Sequence, residues 1–146
     1  MPSLSETALA VLASADPAQK CRLTREAAAA WAADSLEAPG PAQAPPPRPA
    51  RPARPPLLPP KDMPKRAYKG ERGRVGLLHA LAHIELNAID LAWDILCRFA
   101  AEDMPRAFYG DWLAVAVDEA VHFQMLEDLL GRLGAAYGDL PAHDGL

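Results

Sequence analysis

Cysteine and aromatic residues are scarce in this sequence, and their scarcity excludes several kinds of site. The chain has two cysteines, Cys21 and Cys97, which are far apart and show no C-x-x-C spacing. We therefore expect reduced thiols and no cysteine-rich zinc site. Aromatic residues make up only 6% of the chain while alanine is abundant, a balance that favours helices over sheets.

Targeting signals, long apolar runs and several catalytic motifs are also missing. The N-terminus, MPSLSETALA, has no basic region ahead of an apolar segment, so no secretory signal is predicted. No stretch approaches about 18 uninterrupted apolar residues, so no membrane span is predicted. The sequence has no G-x-S-x-G motif, no phosphate loop and no Cys/His nucleophile pair. It therefore offers no residues for a hydrolase or nucleotide-binding function of these kinds. We expect one soluble, cytoplasmic, all-α domain.

A proline-rich segment divides the chain. Twelve of the 26 residues from Pro39 to Pro64 are proline. Proline fixes φ and has no N–H donor, so an extended linker is predicted over about 37–70. We interpret it as a strap that packs Leu57 and Leu58 onto the helices. The alternative is a ligand for a proline-binding module or for nucleic acid, which would use three evenly spaced arginines, Arg48, Arg51 and Arg54.

Short helices are predicted before this strap, within residues 1–36. Ser3 and Glu6 have the spacing of a capping box at a first helix start. A second start follows at Asp16, and Thr24 can cap a third helix in which Trp31 is the packing anchor. This region is interpreted as a docking hairpin.

Two long helices are predicted after the strap, over about 71–99 and 105–133. The link between them, AAEDM, is short enough to make the helices antiparallel. Asp103 is expected to cap the second helix and Gly134 to end it. The stripes expected to face the core are Leu78, Ala82, Ile89, Trp93 and Leu96 in the first helix and Phe108, Trp112, Val115, Leu126, Leu130 and Leu133 in the second.

A carboxylate interrupts each stripe at the same level. Glu85 lies 17 residues before Glu102, near the turn, and Glu119 lies 17 residues after it, so both are about 25 Å from the turn. His122 stands one helical turn after Glu119. Two carboxylates and an imidazole suit iron or manganese, and a buried acid–histidine hydrogen-bond network is the alternative. His79 is a weaker candidate, able to orient a ligand carboxylate.

Three phrases, LLHALAHIELNAIDLAWD, MPRAFYGDWLAVAVDEAVHFQML and YGDLPAHDGL, resemble a bacterial ferritin-like family catalogued as domain of unknown function 455. The resemblance implies a ferritin-like bundle, here represented by its first long helix pair (71–146). It places Glu85, Glu119 and His122 at ligand positions of a di-iron or di-manganese site. By the ferritin-like resemblance Glu119 would bridge two ions, and Glu85 and His122 would be terminal ligands. Our leading hypothesis is a di-iron carboxylate protein with an oxidase or oxygenase type of activity.

The sequence departs from the ferritin-like pattern in one respect. Such bundles continue with a third helix carrying a Glu and a fourth carrying another Glu-x-x-His. The sequence ends at Leu146, before either begins. We expect either a truncated fragment or a homodimer that completes the bundle. A non-catalytic helical interaction module is the alternative function.

Overall fold

Four α-helices form the structure. The computed structural model describes residues 2–65, 67 and 69–146. The helices are α1 (Leu4–Ala13), α2 (Pro17–Ala32), α3 (Gly70–Arg98) and α4 (Arg106–Arg132), with a 3-10 turn at Pro60–Asp62. Two-residue strands, β1 (Leu57–Leu58) and β2 (Ala142–His143), pair in parallel. The prediction of an all-α fold is confirmed; part of the linker expected over 37–70 lies outside the described residues.

The two long helices begin and end within a residue of the predicted bounds, but the start of α4 differs in detail. Pro105 is its N-cap and no side chain caps the helix, so the expected cap by Asp103 is wrong. The turn is held instead by the Tyr109 hydroxyl, which donates to the carbonyls of Phe99 and Glu102 at 3.2 and 2.8 Å. At the other end Gly134 follows the helix with φ of 73°, as a glycine stop requires.

Helices α1 and α2 cover one side of the long pair, with α1 against α3 and α2 against α4. The capping box at Ser3 and the N-cap at Asp16 are present. The helix start predicted at Thr24 is wrong, because α2 runs through it without a break. The buried Thr24 hydroxyl donates to the Lys20 carbonyl at 2.8 Å and accepts from the Trp93 indole at 2.9 Å. Its polar group is satisfied inside the helix.

The core-facing side of α4 is rotated from the predicted stripe. Leu130 is fully buried, but Val115 is 37% exposed. The buried residues are Tyr109, Leu113, Ala116, Ala120, Phe123 and Leu130. Helix α4 is apolar around much of its circumference, so periodicity allows two stripes. The stripe with two alanines packs inward, since small residues let helices approach closely.

A buried polar stripe runs along α3 on the side turned away from α4. It comprises His79, His83, Asp90 and Cys97, at spacings of four, seven and seven residues. Asp90 is 2% exposed. Its Oδ1 accepts from Lys20 Nζ at 2.6 Å, and Lys20 also donates to the Val11 carbonyl at 3.0 Å. This ion pair ties α2 and α1 to α3.

The proline-rich strap lies over this polar stripe, and its three arginines contact the rest of the chain. Arg48 pairs with Asp144, Arg51 donates to Asn87, and Arg54 Nε donates to the Gly138 carbonyl at 3.3 Å. Leu57 and Leu58 form β1 against β2 in the C-terminal tail. The recorded pairing of Leu57 and Leu58 is with the tail, whereas the sequence interpretation placed them on the helices.

Helix α3 has apolar residues on two sides. An 18-residue window within it has a mean hydropathy of 1.2, so by length and composition α3 is apolar enough to cross a membrane, although only 39% of that window is buried in the chain. One side contributes core residues such as Leu86 and Trp93. The other side exposes Leu77 and Leu81, which are 51% and 37% accessible. The residues of that 18-residue window that are not buried lie largely on this second side.

Replacing Lys20 tests the ion pair. Lys20→Met is expected to lower the free energy of unfolding by about 3–5 kcal/mol, because Asp90 would stay buried with only the more distant Arg51, whose Nε lies 3.9 Å from its Oδ2, as a cationic neighbour. The double variant Lys20→Met/Asp90→Leu is the matched control and should recover most of that loss. Urea denaturation followed by circular dichroism measures both. A loss below about 1 kcal/mol in the single variant would contradict the assignment.

Stability should also depend on the protonation of His79. Burial, and then the nearby His83, hold the pKa of His79 below its usual value of 6.5, and its Nε2 accepts from the Gly138 N–H at 3.0 Å. The unfolded chain therefore binds the proton more tightly, and stability falls as pH drops below about 6.5. His79→Gln retains an acceptor but cannot titrate. The stability difference between the two proteins should change below pH 6.5 and stay flat above about pH 7.5; a flat difference throughout would contradict this role.

Candidate metal centre

Glu85, Glu119 and His122 meet at mid-length of the α3–α4 pair. His122 Nδ1 lies 3.3 Å from Glu119 Oε2 and 3.6 Å from Glu85 Oε2. One ligand atom from each residue lies within 4.8 Å of the others. Glu85 and Glu119 lie at the same height along the helix pair, as their equal distance from the turn predicts. The three residues that the sequence singled out are therefore close together.

The cluster lies at the edge of the core, not in its centre. The side chains of Glu85 and Glu119 are 22% and 23% exposed, and that of His122 is 52% exposed. All three open toward the side of α3–α4 that α1 and α2 leave uncovered. A cation held here would have protein donors on one side and free coordination positions on the other.

The carboxylates and the imidazole perturb each other. Partial burial, followed by the neighbouring Glu119 carboxylate, raises the pKa of Glu85 to about 7. The hydrogen bond to Glu119 and the charge of Glu85 raise the pKa of His122 above its usual 6.5. At neutral pH the cluster therefore retains a proton that a cation would displace.

The donor set fits a hard or borderline divalent cation. Carboxylate oxygens with an imidazole nitrogen are typical of iron and manganese sites in proteins, and thiolate is not needed. Cys21 and Cys97 are buried and free, and neither belongs to the cluster. Two carboxylates and one imidazole are, in number and kind, half of the donors that di-metal carboxylate sites in four-helix bundles use.

His79, expected to orient a ligand carboxylate, lies elsewhere. It is about 120° around α3 from Glu85. Its ring stacks on Tyr137 at 5.2 Å between centroids, and its Nε2 bonds to Gly138. His83 points the same way and contacts the Tyr137 hydroxyl at 2.8 Å. Both histidines hold the C-terminal tail.

An uncovered apolar surface surrounds the cluster; the sequence interpretation expected a face that a second copy could cover but did not assign its residues. Its exposed members, here called the open face, are Leu77, Leu81, Ile84, Leu91, Phe99, Val115, Met125 and Leu129. The signal is present in α4, where positions 108, 112, 115, 119, 122, 126, 129 and 133 alternate steps of four and three. That is heptad spacing, with Glu119 and His122 as its polar layer.

Removing one carboxylate tests the coupling within the cluster. Glu119→Gln, in the metal-free protein, should lower the pKa of Glu85 from about 7 because the neighbouring negative charge is gone. Part of the elevation should persist, since burial is the largest cause. NMR titration of the Glu85 carboxyl carbon measures the change. An unchanged pKa would show that Glu119 does not act on Glu85.

Comparisons with known proteins come from sequence families and from curated relatives. An uncharacterized protein of Haemophilus influenzae is 47% identical over 95 residues, which is 62% of this chain and 33% of that relative. The chain thus matches about a third of the length of that protein. No solved structure matches the chain. The model of one family matches residues 13–146, so the chain belongs to the family described as Protein of unknown function (DUF455).

Proposed function

We propose that the protein is a ferritin-like carboxylate protein that binds iron, with manganese as an alternative, and serves as an oxidase or oxygenase type of oxidoreductase. The observation that carries the proposal is the convergence of Glu85, Glu119 and His122, with ligand atoms within 4.8 Å of one another. These residues come from two helices at the same level, as in the ferritin-like ligand arrangement. Glu85, Glu119 and His122 would hold the metal through two carboxylates and one imidazole.

The residues of the chain prepare this site in three ways. Partial burial keeps the carboxylates in a medium where their attraction to a cation is strengthened. Glu119 accepts from His122 and so holds the imidazole nitrogen beside the carboxylates. Glu85, whose pKa is about 7, gives up or accepts a proton near neutral pH. Bound ferrous iron would supply the electrons that reduce dioxygen.

The open face favours a second candidate, a helical interaction module without a functional metal. Eight apolar side chains of that face, all defined above, are at least 37% exposed, and a surface of this kind is typical of an interaction site. Metal content separates the two candidates, because only the first requires the carboxylates to bind a cation.

Metal binding by single variants tests the proposal. The wild-type protein is loaded anaerobically with Fe(II) or with Mn(II) and desalted, and it should retain the metal. Elemental mass spectrometry measures how much metal remains bound. Glu119→Ala and His122→Ala should each weaken retention by about 10–100-fold or more. Asp118→Ala is the matched control: Asp118 is exposed and adjacent in α4 but outside the cluster, so the change removes a nearby negative charge without removing a donor, and retention should fall far less than in the two ligand variants.

Two outcomes would contradict the proposal. One is wild-type protein that retains no metal at any loading. The other is equal retention by the wild type and Glu119→Ala, which would place the metal elsewhere. Retention confined to the wild type and Asp118→Ala supports the assignment.

A further inference from the structure

The geometry points to a second copy of this chain as the occupant of the open face, and we propose that a divalent cation couples the two copies. This inference rests on the proposed function, because the cation lies in the shared site. Each copy would contribute Glu85, Glu119 and His122, giving four carboxylates and two imidazoles around two ions.

The spacing of the exposed residues supports helix packing on this face. In α3, positions 77, 81, 84, 88, 91 and 95 alternate steps of four and three, as the α4 series does. Two parallel seams of this kind are the packing surface of a four-helix bundle. The open face therefore fits a second pair of helices, and a second copy supplies such a pair.

The area of the face agrees with a stable dimer. The seams run for roughly 35 Å and two helices are about 20 Å wide, so the footprint is on the order of 700 Å². Stable interfaces bury about 800 Å² from each partner. The eight apolar side chains of the open face would form the centre of the interface, and the exposed Asp111 and Asp118 lie on the same side of α4.

The position of the cluster makes the face self-complementary. A two-fold axis that crosses the helices at the level of Glu119 reverses the second copy, so its open end meets the turn of the first. At the turn, Ile95, Phe99, Met104, Phe108 and Trp112 line an apolar groove of about 310 Å³. Leu77 and Leu129 of the second copy, about 12–15 Å from the axis, would face Trp112 and Ile95, at about 10–15 Å.

Charge links this dimer to the cation. Two copies bring four carboxylates and two imidazoles together in one partly buried site, where the ionised carboxylates repel each other. Two divalent cations would displace the protons that the clusters retain and balance the charge of the four carboxylates. The face that holds metal should therefore pack against itself more tightly than the metal-free face.

Sedimentation of the full chain with and without Mn(II) tests the proposal. The mass should rise from 15.7 kDa to twice that value when Mn(II) is bound, with one ion per chain. Leu81→Lys, which alters the open face but no ligand, should abolish the dimer and weaken Mn(II) retention. Leu140→Lys is the matched control, since Leu140 has the same 37% exposure as Leu81 but lies in the C-terminal tail that pairs with the strap, and it should dimerise as the wild type does.

The possible failures are distinguishable. Absence of Mn(II) and Fe(II) binding would overturn the proposed function together with the coupled dimer. Tight metal binding by a chain that stays monomeric, or that attaches to phosphatidylcholine vesicles, would overturn the dimer alone. Equal dimerisation with and without Mn(II), or by Leu81→Lys, would overturn the coupling or the assigned face respectively.

Discussion

A short turn fixes α3 against α4, and every property of the candidate site depends on that register. Tyr109 holds the turn through two carbonyls, so Glu85 and Glu119 reach the same level 17 residues on either side of Glu102. A shift of one residue would move a carboxylate about 1.5 Å along the axis and turn it about 100° away. The convergence with His122 exists only in the observed register.

The sequence predicts more of the site than of the core around it. Glu85, Glu119 and His122 were found because loop length and helix rise fix their level. The rotation of α4 was mispredicted, since an almost wholly apolar helix offers two stripes and only its neighbours decide between them. The Lys20–Asp90 pair joins residues 70 positions apart. Helical periodicity holds no information on such a distant pairing, although the spacing of His79, His83 and Asp90 marks a polar stripe.

The long helix pair is covered unequally. One side carries α1, α2 and the strap, where buried polar groups have specific partners, among them Lys20 with Asp90. The opposite side has heptad spacing, exposed apolar residues and three unshared ligands. Under the proposed function these two sides have separate tasks: the first attaches the rest of the chain, and the second would hold the cation.

The pairing of the strap with the C-terminal tail has a consequence for folding. Arg48 and Asp144 are 96 residues apart in sequence, and Arg54 and Gly138 are 84 apart. Closing such loops costs entropy before any contact forms, whereas α3 and α4 meet through a short turn. The helix hairpin should therefore assemble early and the strap close last, which makes this chain slower to fold than a bundle with local contacts alone. During that interval the polar stripe of α3 would be open to water.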